Sequence, residues 1–351
     1  MQTFNKHIIR ENETLKSIAT LYDLYEGDLK FFHNNHCETK DIILINLKEQ
    51  KELFIPRTAV LDRSKVVHFK HGNKLMFHPE NSFYEYGVNI NIENGGHKNE
   101  LKYEASVRWL KTENRFHYFE IDRTSEFFIN EEETNDIADI LAYKTSKVLY
   151  PLYISVDETG KFNAIEDSDG YKARWETVKE DVYKEFEGEI VDLYCNKIEN
   201  SINEPELLSL YLKNDYFLRT LFFGIYQSFG DNYKIQGLET FPITGNPREP
   251  QYKIELEIDP LKDDSNLINI EGNGILHEER SIQDFINNVP FPFLIEKEPE
   301  INTEGYFRLQ SYVNAETSLP EFLYLECEIQ LQKPKKVSVL INVLENTKST
   351  N

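Results

Sequence analysis

Two periods of hydrophobic and polar positions run along the chain, and the changes from one to the other divide it. Near the start, Leu15, Ile18, Ala19 and Tyr22 recur at helical spacing after the polar turn Glu11-Asn12-Glu13-Thr14, from which Asn12 or Thr14 can cap the helix. A turn at Tyr25-Glu26-Gly27 leads into Leu29, Phe31 and Phe32, and the second helix stops at His33-Asn34-Asn35. Ile8 and Ile9 form a short strand ahead of these helices. After a polar stretch, Leu53-Phe54-Ile55-Pro56 reads as a closing strand, ended by a proline that cannot extend a ladder. The expected first unit, residues 1–60, is therefore strand, helix, helix, strand.

From residue 65 the period becomes two. Val66-Val67-His68-Phe69 alternates before the turn His71-Gly72-Asn73 and reads as one side of a hairpin. Long alternating stretches follow at 83–92, 101–110 and 115–121, separated by Gly95-Gly96 and Glu113-Asn114, which predicts an antiparallel meander with one face buried. A helix is expected from about residue 132 to 149, then a hairpin around Asp157-Glu158-Thr159-Gly160. Residues 171–202 carry Trp175, Val178, Val182, Phe186, Ile190, Leu193, Ile198 and Ile202 on one stripe and read as the longest helix. Leu207-Leu208 and residues 210–229 add one or two aromatic-rich helices, whose Phe217, Leu221, Phe222, Phe223, Ile225 and Tyr226 read as core. Residues 232–345 return to strands, notably 252–258, 306–309, 323–329 and 337–341. The class this predicts is α+β: a small βααβ unit, then a body over 61–351 in which a curved antiparallel sheet wraps central helices. A division of that body into subdomains of about 61–230 and 231–351 is left open, and similar alternations near 84–109 and 252–258 hint at duplication.

The stretch ETLKSIATLYDLYEGDLKFFHNN followed by LFIP resembles the LysM module, in its Thr-Leu turn, Ile-Ala helix, Asn-Asn helix end and closing Phe-Ile-Pro. The match covers about 50 of the 351 residues. The resemblance implies a shallow groove for N-acetylglucosamine-containing glycan such as peptidoglycan, between the loop after the first strand and the loop before the last. In this chain that places Asn12, Glu13, Thr14 and Leu15 on one wall and Leu47 on the other. Asn12-Glu13 stands where the family favours Gly-Asp, Gln50-Lys51 replaces its usual Gly-Gln, and the second loop, residues 37–47, is longer than usual.

Charge narrows the partners. The 61 acidic and 39 basic residues give a net charge of −22, which repels nucleic-acid phosphate and anionic lipid and favours solubility or a basic partner. No segment approaches the roughly 18 apolar residues of a membrane span, and MQTFNKHIIRENET has no apolar export core, so a cytoplasmic location is expected. Cys37, Cys195 and Cys327 are too scattered for a disulfide framework or a zinc site, and are expected as reduced, mostly buried thiols. His33-Asn34-Asn35-His36-Cys37 is the densest group of metal-ligating types, but a helix end leading into a loop sets no common face and a fourth ligand is missing. No metal and no cofactor is expected.

Catalytic signatures are absent: the chain has no Gly-x-Ser-x-Gly elbow, phosphate-cradling glycine loop or His-Glu-x-x-His pair. Acidic groups such as Asp263-Asp264, Glu278-Glu279 and Glu131-Glu132-Glu133 lack the spacing of a calcium loop and read as solvated faces. The expectation is a non-catalytic protein. LysM-like modules also occur in phage tails and type VI secretion systems, and the Asn-, Lys-, Ile- and aromatic-rich usage is similar to that of Bacteroidota. The resemblance thus implies an adaptor or structural component of a contractile injection machine, with a spike, baseplate or effector protein as partner. Its contacts would be acidic, or would use strand aromatics such as Tyr84, Tyr86, Trp109 and Tyr118. The alternatives are a glycan-binding protein exported as cargo, and a carrier or chaperone for an apolar ligand or effector segment held against the sheet.

Overall fold

A computed structural model describes residues 4–48, 50–57, 59, 65–130, 132–133, 137–166, 168–245, 248–292 and 303–344. The boundary expected at residue 60 and Glu131 of the acidic run lie outside the described residues.

The first unit closes on itself through its two ends. Strand β1 (Phe4–Ile8) pairs antiparallel with β2 (Glu52–Pro56), and helices α1 (Leu15–Leu21) and α2 (Glu26–Asn34) lie between them in sequence. The alternation of Leu53 and Ile55 meets the helical stripe of Leu15, Ile18, Ala19 and Leu29 in a small core of its own, completed by Ile43. The histidine-rich helix end is structural. His33 is buried, its Nδ1 accepts from the Phe54 amide at 3.1 Å, and its Nε2 lies 3.1 Å from the Asp41 carbonyl, to which it donates. His36 stacks on Phe32 with centroids 4.2 Å apart, and Asn34 holds both the amide and the carbonyl of Ile43 at 2.9 Å. These groups therefore fasten the 37–47 loop to the unit's core.

The body is built on long antiparallel pairs. β3 (Phe83–Asn94), β4 (His97–Glu113) and β5 (Phe116–Arg123) form the expected meander, with the short strands β6 (Phe128–Ile129) and β7 (Glu132–Glu133) beside β4. Helix α3 (Ile137–Ser146) precedes the hairpin of β8 (Leu152–Val156) and β9 (Phe162–Ile165). In that hairpin's turn, Asp157 Oδ1 accepts from the Thr159 amide at 2.8 Å and the Lys161 amide at 3.0 Å. Helices α4 (Ser168–Glu185), α5 (Glu189–Asn203), α6 (Pro205–Leu212) and α7 (Tyr216–Leu221) follow. Strands β10 (Lys234–Thr240), β11 (Gln251–Ile258) and β12 (Leu267–Leu276), helix α8 (Ile282–Ile286), and strands β13 (Gly305–Asn314), β14 (Pro320–Ile329) and β15 (Lys335–Val343) complete the chain.

A single sheet runs through the body in the order β10-β11-β12-β13-β14-β15-β3-β4-β5-β8-β9. The join at its centre is β15 on β3, with Lys335 opposite Asn94 and Val343 opposite Tyr86, so stretches before and after the helices share one ladder and one core. The sheet curls until its ends approach. Lys161, just before edge strand β9, reaches the Glu239 carboxylate on edge strand β10 at 2.8 and 2.9 Å, and also bridges Phe223. Helix α7 packs on β14 and β15, and with the aromatic segment after it fills the concavity.

Three helical expectations change. Residues 171–202 form two helices, because Gly188 adopts φ 116° and ψ 165°, a conformation essentially confined to glycine. The helix expected from 132 begins at Ile137 and tightens into a 3₁₀ turn over Lys147–Leu149. Residues 222–229 leave the helix altogether: Phe222, Phe223, Ile225, Tyr226 and Phe229 are buried in irregular backbone. Their dense apolar and aromatic content signals burial from several sides, which a helix and a buried loop satisfy equally. The 66–74 stretch is likewise no regular hairpin. Lys70 bridges Lys74 around the expected turn, but Val66 bridges Leu261.

Alanine at Gly188 should lower the body's unfolding free energy by about 1–3 kcal/mol. Gly237→Ala on edge strand β10, where no atom lies within 4 Å of the added methyl, should change it by less than about 0.5 kcal/mol. Urea denaturation followed by the fluorescence of the buried Trp175 measures both. Equal midpoints for the two variants would refute the assignment of the helix break to Gly188.

Candidate functional site

The loop after β1 and the loop before β2 come together, since the Ile9 amide donates to the Lys51 carbonyl at 3.0 Å. The residues expected to line a glycan groove are therefore neighbours, but most of their groups are engaged within the unit. Asn12 is exposed at the tip with φ 72°. Thr14 caps α1: its hydroxyl accepts from the Ser17 amide at 3.0 Å, and its own amide donates to Ser17 Oγ at 2.9 Å. Leu15 is buried in the small core and Leu47 packs against it.

Glu13 is turned inward. Its Oε2 lies 2.9 Å from His7 Nε2 and accepts from the Arg10 amide at 2.8 Å, while His7 Nδ1 lies 3.1 Å from the Tyr22 hydroxyl. A carboxylate only accepts, so His7 donates from Nε2 to Glu13. Burial alone would raise the Glu13 carboxyl. The His7 and Arg10 hydrogen bonds and positive charges outweigh it and hold the group below its ordinary value. Burial, with Glu13 beside it, pushes the Tyr22 phenol up.

The outward side of this loop faces the body. Asn12, Thr14 and Ser17 line a polar cleft of about 250 Å³ whose other wall includes Tyr233, Glu257, Asp259 and Glu271. Burial pushes the Asp259 carboxyl up, with Glu257 and Glu271 adding to the effect, against the Leu261 amide and the charge of Lys16 on α1. The loop that the LysM resemblance marks for glycan is thus placed against carboxylates of the body.

Another face of the unit was missed by sequence reasoning. Lys30 donates to the Leu44 carbonyl and Asn34 grips Ile43, so the second loop lies along α2. Phe31, Leu44 and Ile45 stand 71%, 81% and 77% exposed there, with Ile42 beside them. The signal was present in the run Ile42-Ile43-Leu44-Ile45, of which Ile43 is buried. Large apolar residues left in solvent on one loop mark an interaction surface or a liability.

The strand aromatics do not form a comparable surface. Tyr86 is fully buried and donates to the Pro320 carbonyl at 2.9 Å, and the Tyr84 hydroxyl lies 2.9 Å from Thr317 Oγ1. Cys195 and Cys327 are buried and Cys37 is half-buried, all three as free thiols whose ionisation burial pushes up. Among the described residues no helix is long and apolar enough to cross a membrane.

The class defined by this arrangement is a mixed α+β protein with a large antiparallel sheet. No known family matches the chain, and no curated protein matches it. Fold comparison finds a solved structure described as lipid–protein interactions in lipovitellin, 10% identical, with a TM-score of 0.37 over 75% of this chain and 25% of that one. The chain therefore spans a quarter of that neighbour's length.

Glu13 gives a pH dependence of definite sign. Its carboxyl is held below the ordinary value of 4.5, so it stabilises the folded unit above that pH, and this contribution disappears as pH falls through the lowered value. Glu13→Gln should destabilise the unit at pH 7, and the deficit should shrink at about pH 2 as the carboxylate takes up its proton. Urea denaturation at the two pH values, followed by far-ultraviolet circular dichroism, tests this. A deficit that persists in full at the lower pH would show that shape rather than charge is responsible.

Proposed function

We propose that the chain is a non-catalytic cytoplasmic adaptor whose LysM-like βααβ unit docks to a protein rather than to glycan. The observation that carries this reading is the exposed face of Phe31, Leu44 and Ile45 on the small unit. Large apolar side chains grouped in solvent are characteristic of interaction surfaces. The state of the glycan loop supports it, since Glu13 is held by His7, Thr14 by Ser17, and Leu15 by the core. The partner this reading names is a spike, baseplate or effector component of a contractile injection machine, with the acidic body making a further contact.

Phe31→Ser together with Leu44→Glu should abolish capture of that partner in a pull-down from the native host, while the melting temperature stays within a few degrees of wild type. Chitin oligomers should leave that temperature unchanged. A glycan-induced rise, or sedimentation of the protein with purified peptidoglycan, would replace docking by the glycan-binding alternative. Recovery of no secretion or phage-tail component would remove the proposed partner.

A further inference from the structure

The irregular stretch 65–78 crosses one end of the sheet and is pinned there. The Val67 amide donates to the Pro260 carbonyl at 2.9 Å, the Lys262 amide to the Lys65 carbonyl at 2.7 Å, and the Leu75 amide to the Gln227 carbonyl at 3.0 Å. Ser318 fixes the floor from the other side, with φ 52°. Its Oγ accepts from the His78 amide at 3.1 Å, and its carbonyl accepts from the buried Tyr226 hydroxyl. Segments from four distant parts of the chain thus hold a pocket of about 250 Å³ in a defined shape.

The chemistry of this pocket runs against the composition of the chain. Its floor is apolar, from the buried Val67, Leu75, Ile268 and Val313. Its titratable lining is His68, Lys70, His78, Lys262 and the buried Tyr226 phenol, and among the described residues no aspartate or glutamate lines it. That lining holds two lysines and no carboxylate, with Glu80 approaching only His78 at 4.0 Å, in a chain with 61 acidic and 39 basic residues. Nearby Lys65 is paired with Asp264 at 3.1 Å, whereas neither Lys70 nor Lys262 enters an ion pair among the described residues. Two lysines without partners over a preformed apolar floor suit an anion that carries a hydrophobic group.

We propose that this pocket binds a carboxylate bearing a short apolar tail, the carboxylate at Lys70 and Lys262 and the tail against Val67, Leu75, Ile268 and Val313. A lysine ammonium is a point charge with no planar geometry to match, so it accepts a carboxylate in several orientations. The volume lies just under the ~300–1,000 Å³ usual for ligand pockets, which limits the tail to about seven carbons. The same chemistry is offered by a free short-chain fatty acid and by the C-terminal residue of a polypeptide. The site is independent of the exposed face of the small unit, so its failure would leave the adaptor reading standing.

The full chain is titrated with octanoate and with N-acetyl-leucine, and in parallel with their uncharged counterparts octanamide and N-acetyl-leucinamide, by calorimetry at low salt. At least one carboxylate should bind, and its amide should bind at least about tenfold more weakly. Preference for octanoate identifies a fatty-acid source, and preference for N-acetyl-leucine a chain terminus. Joint replacement Lys70→Gln and Lys262→Gln should weaken binding at least about tenfold, and Ala315→Trp, which fills the pocket, should abolish it. Should the tryptophan variant fail to fold, the double lysine variant decides alone. The proposal is overturned if neither carboxylate binds, if the amides bind equally well, or if the lysine replacements leave affinity unchanged.

Discussion

The aromatic segment at 216–229 must be dry on nearly every side, and only a sheet that curls around it can achieve that. Phe217 faces Tyr103 on β4, Phe222 faces Phe119 on β5, and Phe223 faces Phe307 on β13, with ring centroids 5.2 to 6.2 Å apart. These strands come from opposite parts of the ladder, so the segment ties the sheet across its concave side. Burying a phenylalanine is worth roughly 1.5–3 kcal/mol, and several are buried here within a few residues. The ion pair between Lys161 and Glu239 then marks where the curled edges come to rest. It is half-exposed and contributes little by itself. Its position is a consequence of the aromatic packing.

This constraint explains what was legible in the sequence. Strands with one face on the filled concavity must alternate, and β3, β4, β5, β11, β14 and β15 were all found by that alternation. Local chemistry was legible too: Thr14 as one of two candidate caps, and Asp157 through Gly160 as a turn. The central join was not, since β15 and β3 pair residues such as Lys335 and Asn94 that lie far apart in sequence. The helix break at Gly188 was hidden because the stripe of Phe186 and Ile190 continues across it in register. Ile190 in fact lies outside the core, largely exposed.

The candidate site shows the same division between local and distant. The order β1, α1, α2, β2 followed from periodicity, whereas the meeting of its two loops was implied by the family resemblance alone. Which residues would be free to act did not follow, because that depends on partners elsewhere: His7 for Glu13, the Asp259 region for the 12–17 loop, Lys30 and Asn34 for the run at 42–45. A sequence pattern assigns a residue to a face. Whether that face is open is decided by the rest of the chain.

Magnitudes limit what the small unit can do alone. Phe31, Leu44 and Ile45 would each contribute roughly 1.5–3 kcal/mol on full burial, or together about 5–9 kcal/mol. Association costs an estimated 4–15 kcal/mol in lost freedom, so three side chains give at best a weak contact. An adaptor built this way therefore needs a second attachment, and a net charge of −22 favours one with a basic partner surface. Joining the two contacts through one chain makes the second nearly intramolecular and raises the combined affinity without any new contact. On the proposed adaptor reading, a modest apolar face on a strongly acidic body would hold two components together rather than capture either one tightly.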